Sequence, residues 1–488
     1  MGILNRRAVV RVLGIEYQGV NGLFGNVLSM LSIAELGIGA AIIYNLYRPL
    51  EEGDTESVKS LMRFYRKCYI IIGIAIAVIG TAIIPLLPHI IKDYDLPYPL
   101  TSIYLWFLLD SSLSYFLSYR RSILIADQRN YIVNLFDTAY AFFVRMAQII
   151  VLVLTGNFML YLAGMLMFRV VENTAIYLYA GKLYPYLNDR NVLPIRADIL
   201  EDIRTKVRGA VFHKVGGFVV LGTDNILISR YFGLAVSGIY SNYYLITSTI
   251  SYIVSTCVSS ATAGVGHMLV QTDKEDSFEI FKEIRLLNFA FSVLGAAGIR
   301  CVATPLIELL FGKAYVFEDL VILVLAINFF FQALRGTYSV FKEAAGILYE
   351  DRFVPIIESV VNIVASILLL NWFGVAGVFM GTIVSSLVLY FYTYPVFVYG
   401  RVLGKGASGY YLELLWETVL MAVTLGVTGW LCRIPCSWGA FAVVIRNTGI
   451  SVLVSGVLLF AGYAAWKPET KKLMARLTGV LHAKKVSD

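Results

Sequence analysis

Residues Gly14 to Leu50 read GIEYQGVNGLFGNVLSMLSIAELGIGAAIIYNLYRPL. From about Gly19 the run is apolar and long enough to span a bilayer as a helix, with one acid, Glu35, near its middle. It ends at Arg48 before a polar loop. A carboxylate at that depth is costly unless it faces protein or water, so this helix is expected to line an interior. The stretch has a faint echo 219 residues later: Gly14 and Gly19 match Gly233 and Gly238, and Ser29 and Ser32 match Ser248 and Ser251. Four matches alone are at chance level. A second echo, ADQR at Ala126 to Arg129 against YEDR at Tyr349 to Arg352, falls at nearly the same spacing. Together they point to two homologous halves running the same way through a membrane.

Composition agrees. Of 488 residues, 58% are hydrophobic and 15% charged, and the mean hydropathy is +0.73. A soluble domain carries about 25% charged residues, and this much apolar side chain cannot be hidden inside a globule, so its solvent is lipid. The N-terminus MGILNRRAVVRVLG is basic with no apolar run of signal-peptide type. A net charge of +7 would suggest nucleic acid in a soluble protein. Here the basic residues sit in loops, which reads as orientation and contact with anionic membrane lipids, with no nucleic acid as partner. Cys68, Cys257 and Cys301 read as inert packing, and Cys432 and Cys436 flank a short loop that permits a disulfide if it faces outside. Four histidines without ligand spacing offer no metal site.

Counting apolar runs of about 18 residues gives roughly thirteen spans, starting near Gly19, Lys67, Thr101, Tyr131, Phe158, Gly209, Leu234, Phe281, Tyr315, Phe353, Val375, Tyr411 and Phe441. Alternate links differ in charge. Arg48 to Lys67, Arg120 to Arg129, Lys182 to Lys214, Lys274 to Arg285, Lys342 to Arg352, Arg401 to Lys405 and the tail Lys467 to Lys485 hold most of the Lys and Arg, whereas the intervening links are short and nearly uncharged. The positive-inside rule places the charged set, and the C-terminus, in the cytoplasm of a multi-pass cell-membrane protein. The repeat implies a span before Gly14 of which only Asn5 to Gly14 is present, so the first helix is expected to be truncated. The expected fold is an all-α polytopic membrane protein: two pseudo-symmetric six-helix lobes around a central cavity plus two C-terminal helices. The divisions are 1–182 for the first lobe, 183–207 for a cytoplasmic linker, 208–405 for the second lobe, 406–466 for two extra helices and 467–488 for a basic tail. In the linker Ile195, Ile199 and Ile203 step by four, an amphipathic surface helix; the tail reads similarly.

Three stretches carry a family resemblance: AELGIGAAIIYNLYRPL ending at Leu50, GTDNILISRYFGLAVSGIYSNYYLI at Gly222 to Ile246, and EDRFVPIIESVVNIVASILLLNWFGVAGVFMGTIVSS at Glu350 to Ser386. They resemble polysaccharide-export proteins, the lipid-linked oligosaccharide flippases of the multidrug/oligosaccharidyl-lipid/polysaccharide exporter superfamily. The resemblance covers the chain except the missing first helix and leaves the sugar open. It implies movement of an undecaprenyl-pyrophosphate-linked oligosaccharide from the inner to the outer leaflet, for capsule, exopolysaccharide or O-antigen-type glycan, with a polysaccharide polymerase and other glycan-assembly proteins as partners.

Carrying a pyrophosphate and a hydrated glycan through hydrocarbon requires a polar, preferably cationic cavity. The intramembrane charges are Glu35, Asp110, Asp137, Arg145, Arg169 and Glu172 in the first half, and Lys214, Asp224, Arg300, Arg335 and Glu358 in the second. Arg145, Arg169 and Arg335 are candidate phosphate contacts, because a guanidinium fork matches phosphate oxygens. The competing reading is structural ion pairs, for example Arg169 with Asp137 or Glu172. Arg48 stands at the cytoplasmic mouth of its helix, either to capture a headgroup or as an ordinary interface anchor. Glu35, among small neighbours, either pairs a cavity arginine or exchanges a proton.

In the second half Glu358, Asn362 and Ser366 recur every four residues, and Asp224 and Thr382 complete an oxygen set that suits Na+. Some relatives place a second acid where this chain has Ser366, so proton coupling through Asp224 or Glu358, or a packing stripe, stays open. No nucleophile constellation, phosphate loop or nucleotide fingerprint appears, so the chain reads as a transporter without organic cofactor rather than an enzyme, driven by an ion or substrate gradient. Two alternatives stand beside the flippase. A drug–cation antiporter of the same superfamily would favour an acid-lined cavity. A membrane glycosyltransferase or polymerase would need a large external loop, and every external link here is short.

Overall fold

The computed structural model describes residues 2–31, 35, 37–92, 94–189, 191–347, 350–435 and 439–464; for residues 40, 206, 208–221, 263, 270 and 464 it describes the backbone alone. Cys436, the whole basic tail 467–488, and the side chain of Lys214 lie outside that description. The described residues form helices joined by short links: α1 (Gly2–Val12), α2 (Ile15–Leu31), α3 (Ile38–Glu51), α4 (Thr55–Ile83), α5 (Leu87–Ile90), α6 (Leu100–Ser118), α7 (Arg121–Ala126), α8 (Asn130–Thr155), α9 (Phe158–Leu183), α10 (Ala197–Ser259), α11 (Thr262–Gln271), α12 (Lys274–Phe311), α13 (Asp319–Ala344), α14 (Val354–Phe373), α15 (Val375–Val388), α16 (Ala407–Cys432) and α17 (Ala440–Ala464). The chain is an all-α polytopic membrane protein.

Eleven helical stretches are long and apolar enough to cross a membrane among the described residues. The difference from thirteen has two causes. The spans expected from Gly209 and Leu234 both lie within α10 and count there as one stretch, although the backbone leaves helical geometry between them at Gly233. The span expected from Gly19 falls on α2 and α3, with residues 32–34 and 36 between them outside the described set, and Gly37 enters α3 with φ of 80°.

Lipid is visible in what the helices leave uncovered. Ile71, Ile74, Val78 and Ile79 form an exposed stripe on α4, and Trp372 is 82% exposed. Such a surface is unfavourable in water and neutral in hydrocarbon. Polar capping sets the turns: α8 ends on Gly156, and the Asn157 side chain accepts from the backbone N–H of Met159 and Leu160 at 2.8 and 3.2 Å to start α9. Beyond α15 the chain continues as a π-helix, Leu389–Val402, around Pro395, which has no N–H to give to a regular ladder.

The chain divides into two compact units, Met1–Ser241 and Asn242–Asp488. Within the first, the repeat acquires a physical cause. Gly14 separates α1 from α2 with φ of 116°, and Gly233 breaks α10 with φ of 84°, both in a region open to glycine. Five residues on, Gly19 and Gly238 face one another. A Cβ at Gly19 would stand 2.1 Å from the Leu234 carbonyl oxygen, and one at Gly238 would stand 2.2 Å from that of Ile15. The two contacts are reciprocal at the same 219-residue spacing, so the crossing is a local two-fold in which α2 and the second part of α10 touch through bare backbone.

Candidate functional site

Three helices of the first unit contribute polar residues to one cavity. From α6 come Asp110, Ser111, Ser114, Tyr115 and Ser118; from α9, Arg169 and Asn173; from α2, Gly25 and Ser29. Arg121, the first residue of α7, closes the ring, and Leu28, Phe107 and Met165 supply an apolar wall around about 550 Å3. The spacing on α6 explains its share, since positions 111, 114, 115 and 118 lie on one helical face.

The two guanidiniums are held by carboxylates. Arg121 bonds Asp137 on α8 at 2.6 Å and Glu172 on α9 at 2.8 Å. Arg169 bonds Glu172 at 3.2 Å, stands 3.6 Å from Asp110 and stacks over the Tyr140 ring at 4.4 Å. The cluster therefore holds two cations and three acids. The side chains of Arg121 and Arg169 stay 21% and 30% exposed, and the Nε of each lacks a hydrogen-bond partner among the described residues.

Of the five residues expected to line a substrate cavity, four belong to the first unit. Arg169 lines the cavity. Glu35 lies shortly before α3 and accepts from the Tyr69 hydroxyl at 3.0 Å; Tyr69 packs edge-on to Tyr65 and against Tyr115, itself a cavity residue. Glu35 thus connects to the cavity through an aromatic ladder. Arg145 stands exposed on α8, with Nη1 3.5 Å from Gln148 Oε1, which also accepts from Asn5. Its electrostatic neighbours are Arg6 of α1 and Tyr161. Arg48 is 85% exposed and pairs with Glu52 at 2.7 Å. Arg335 belongs to the second unit, where it bonds Glu358 at 2.6 Å and Ser386 at 2.5 Å.

The expected ion-coupling stripe is buried along α14. Asn362 donates to Thr382 at 3.0 Å, Ser366 donates to the Val378 carbonyl at 3.0 Å, and the Arg335 guanidinium bonds Glu358 at 2.6 Å. Asp224, also buried, falls in the first unit.

Sequence reading overlooked Arg121 because it sits in a short link between spans and looks like an ordinary interface cation. It also counted Arg285 within a cytoplasmic link. The structure corrects that: Arg285 is buried between α12 and α16, bonded to Glu417 at 2.8 Å and to Glu413 and Tyr399, while Tyr463 of α17 donates to Glu417 at 3.3 Å. Glu413 and Glu417, four residues apart on an otherwise apolar helix, were the available signal.

Comparison with solved structures identifies the fold. The chain is similar to "Lipid II flippase MurJ, inward closed conformation", with a TM-score of 0.67 at 14% identity, covering 95% of this chain and 96% of that one. It is also similar to a point mutant of the Vibrio cholerae MATE transporter VcmN, with a TM-score of 0.53 at 14% identity over 79% of this chain and 89% of that one. A MATE protein in complex with MaL6 gives 0.53 at 12% identity, over 86% and 93%. No protein-family model matches the sequence, and no curated protein matches it significantly. The chain therefore has the fold of the MurJ flippase and the MATE transporter VcmN.

Proposed function

We propose that this protein flips undecaprenyl-pyrophosphate-linked oligosaccharide from the inner to the outer leaflet of the cell membrane by alternating access, for export of a capsule-, exopolysaccharide- or O-antigen-type glycan. The observation that carries the reading is the first-unit cavity. Its serines, tyrosine and asparagine are donors and acceptors matched to sugar hydroxyls. Arg121 and Arg169 are partly exposed guanidiniums suited to phosphate oxygens. A lipid tail needs no such lining and stays in the bilayer. The C-terminus is cytoplasmic in this reading, and the polymerase that consumes the flipped unit is a partner outside.

A second reading, cation antiport, is favoured by one observation: Asp110, Asp137 and Glu172 outnumber the two arginines they surround. The test is deletion of the gene in the native host, followed by isolation of undecaprenyl-linked oligosaccharide. Completed units trapped on the inner leaflet, with loss of surface glycan, support the flippase. Normal glycan with new sensitivity to cationic drugs overturns it in favour of antiport. Flipped but unpolymerised units overturn it in favour of a polymerase.

A further inference from the structure

A second cavity of the first unit, about 470 Å3, shares no lining residue with the first. It lies where α4 begins and α6 and α9 end, at the end bearing the basic links. Lys59, Arg63 and Arg66 reach it from α4, three positions at helical spacing, and Arg120 from the turn after α6. One carboxylate, Asp189, lines it against these four cations, of which Lys59 already engages Asp189 at 3.2 Å and Glu56, outside the lining, at 2.6 Å.

Arg120 is the unusual member. It is 3% exposed, yet no carboxylate lies within ion-pair distance of it among the described residues. It is held instead by neutral groups: Nη1 donates to the Tyr177 carbonyl at 3.0 Å, Nη2 donates to Asn188 Oδ1 at 2.9 Å, and the guanidinium stacks over the Tyr177 ring at 3.8 Å. A Cβ at Gly181 would stand 2.3 Å from Nη1, so the backbone leaves room for the guanidinium there. A charge buried without a counter-ion costs several kcal/mol, and an anion in the adjoining cavity removes that cost.

We propose that this cavity is a binding site for a multiply charged phosphate anion, distinct from the substrate cavity and independent of the transport reading. Arg120 is the fixed, preorganised contact. Lys59 lines the same cavity, and Arg63, which donates to the Val192 carbonyl at 3.4 Å, and Arg66 complete its basic lining from exposed positions. The exposed apolar stripe of α4 starts at Ile71, five residues past Arg66, or about 8 Å along the helix. That depth is the headgroup layer, where basic pockets between helices take diphosphate-type lipid headgroups. A free diphosphate offers the same chemistry.

The test uses the full chain in phosphatidylcholine nanodiscs, with inorganic pyrophosphate as the soluble probe and cardiolipin as the lipid probe. For the wild type, pyrophosphate in hundredfold excess over its Kd raises the melting midpoint by about 2–4 °C, or cardiolipin remains bound in native mass spectrometry. The first result identifies a free anion as sufficient, and the second identifies a lipid headgroup. In Arg63→Gln/Arg66→Gln, whose changes are exposed and leave the fold intact, affinity falls about tenfold or more. Arg120→Gln loses binding altogether, and Arg169→Ala retains it. Failure of both probes to bind the wild type, equal binding to the double variant, or loss of binding in Arg169→Ala overturns the proposal.

Discussion

Two buried arginine clusters, one in each unit, use the same chemistry to different ends. Arg285 is sealed, 4% exposed, with Glu413 and Glu417 matched to it and a shell of Tyr338, Tyr399, Tyr410 and Tyr463 around them. Arg121 and Arg169 have as many carboxylates at hand but face a cavity and keep a fifth or more of their surface open. The Nε of Arg285 is also without a hydrogen-bond partner among the described residues, so an orphan donor does not separate the two clusters. Access does. A sealed ion pair joins helices; an open one can exchange a partner with a ligand.

The largest effect is expected at the sealed cluster. Arg285→Met removes the guanidinium bonded to Glu413 and the buried Glu417 and costs about 3–5 kcal/mol, read as loss of folded protein or a sharply lowered melting midpoint in detergent. The triple replacement Arg285→Met/Glu413→Leu/Glu417→Leu should recover most of that loss; if it is no better than the single change, the cluster is more than a structural pair. Next comes the glycine crossing. Gly238→Ala drives a methyl into the Ile15 carbonyl and should cost about 1–3 kcal/mol by parting α2 from α10, with Gly19→Ala matching it because the contacts are reciprocal. Unequal losses would break the two-fold description.

At the open cluster the expected order reverses between stability and activity. Arg169→Ala and Arg121→Ala should lower glycan export about tenfold or more at normal membrane levels, with a smaller melting shift than Arg285→Met. Unchanged export would remove them from the transport path. Arg145→Ala sharpens the comparison, because Arg145 lies outside the cavity lining: full loss of export there places a second contact beside Arg6. The smallest effect belongs to Arg48→Ala. An exposed i,i+4 pair is worth about 0.3–0.5 kcal/mol, so stability should not change measurably, and any drop in export isolates a headgroup-capture role.

The sequence by itself determined the solvent of this protein, its class and its internal duplication. Hydropathy has to be satisfied by lipid whatever the packing, and periodic apolar runs read directly as spans. The echo at 219 residues was legible because glycine is irreplaceable where φ is positive or where two backbones touch, and Gly14/Gly233 and Gly19/Gly238 are those places. Which charges meet was not legible. Arg121 and Arg285 both lay in links by hydropathy, yet one borders a cavity and the other is sealed between helices. Arg169 stood beside its partner Glu172 in sequence, but its contact with Asp110 crosses from α9 to α6. Only tertiary structure decides such matters, because the energy of a buried charge depends on distances of a few ångströms to groups far away in the chain, and hydropathy averages those distances out.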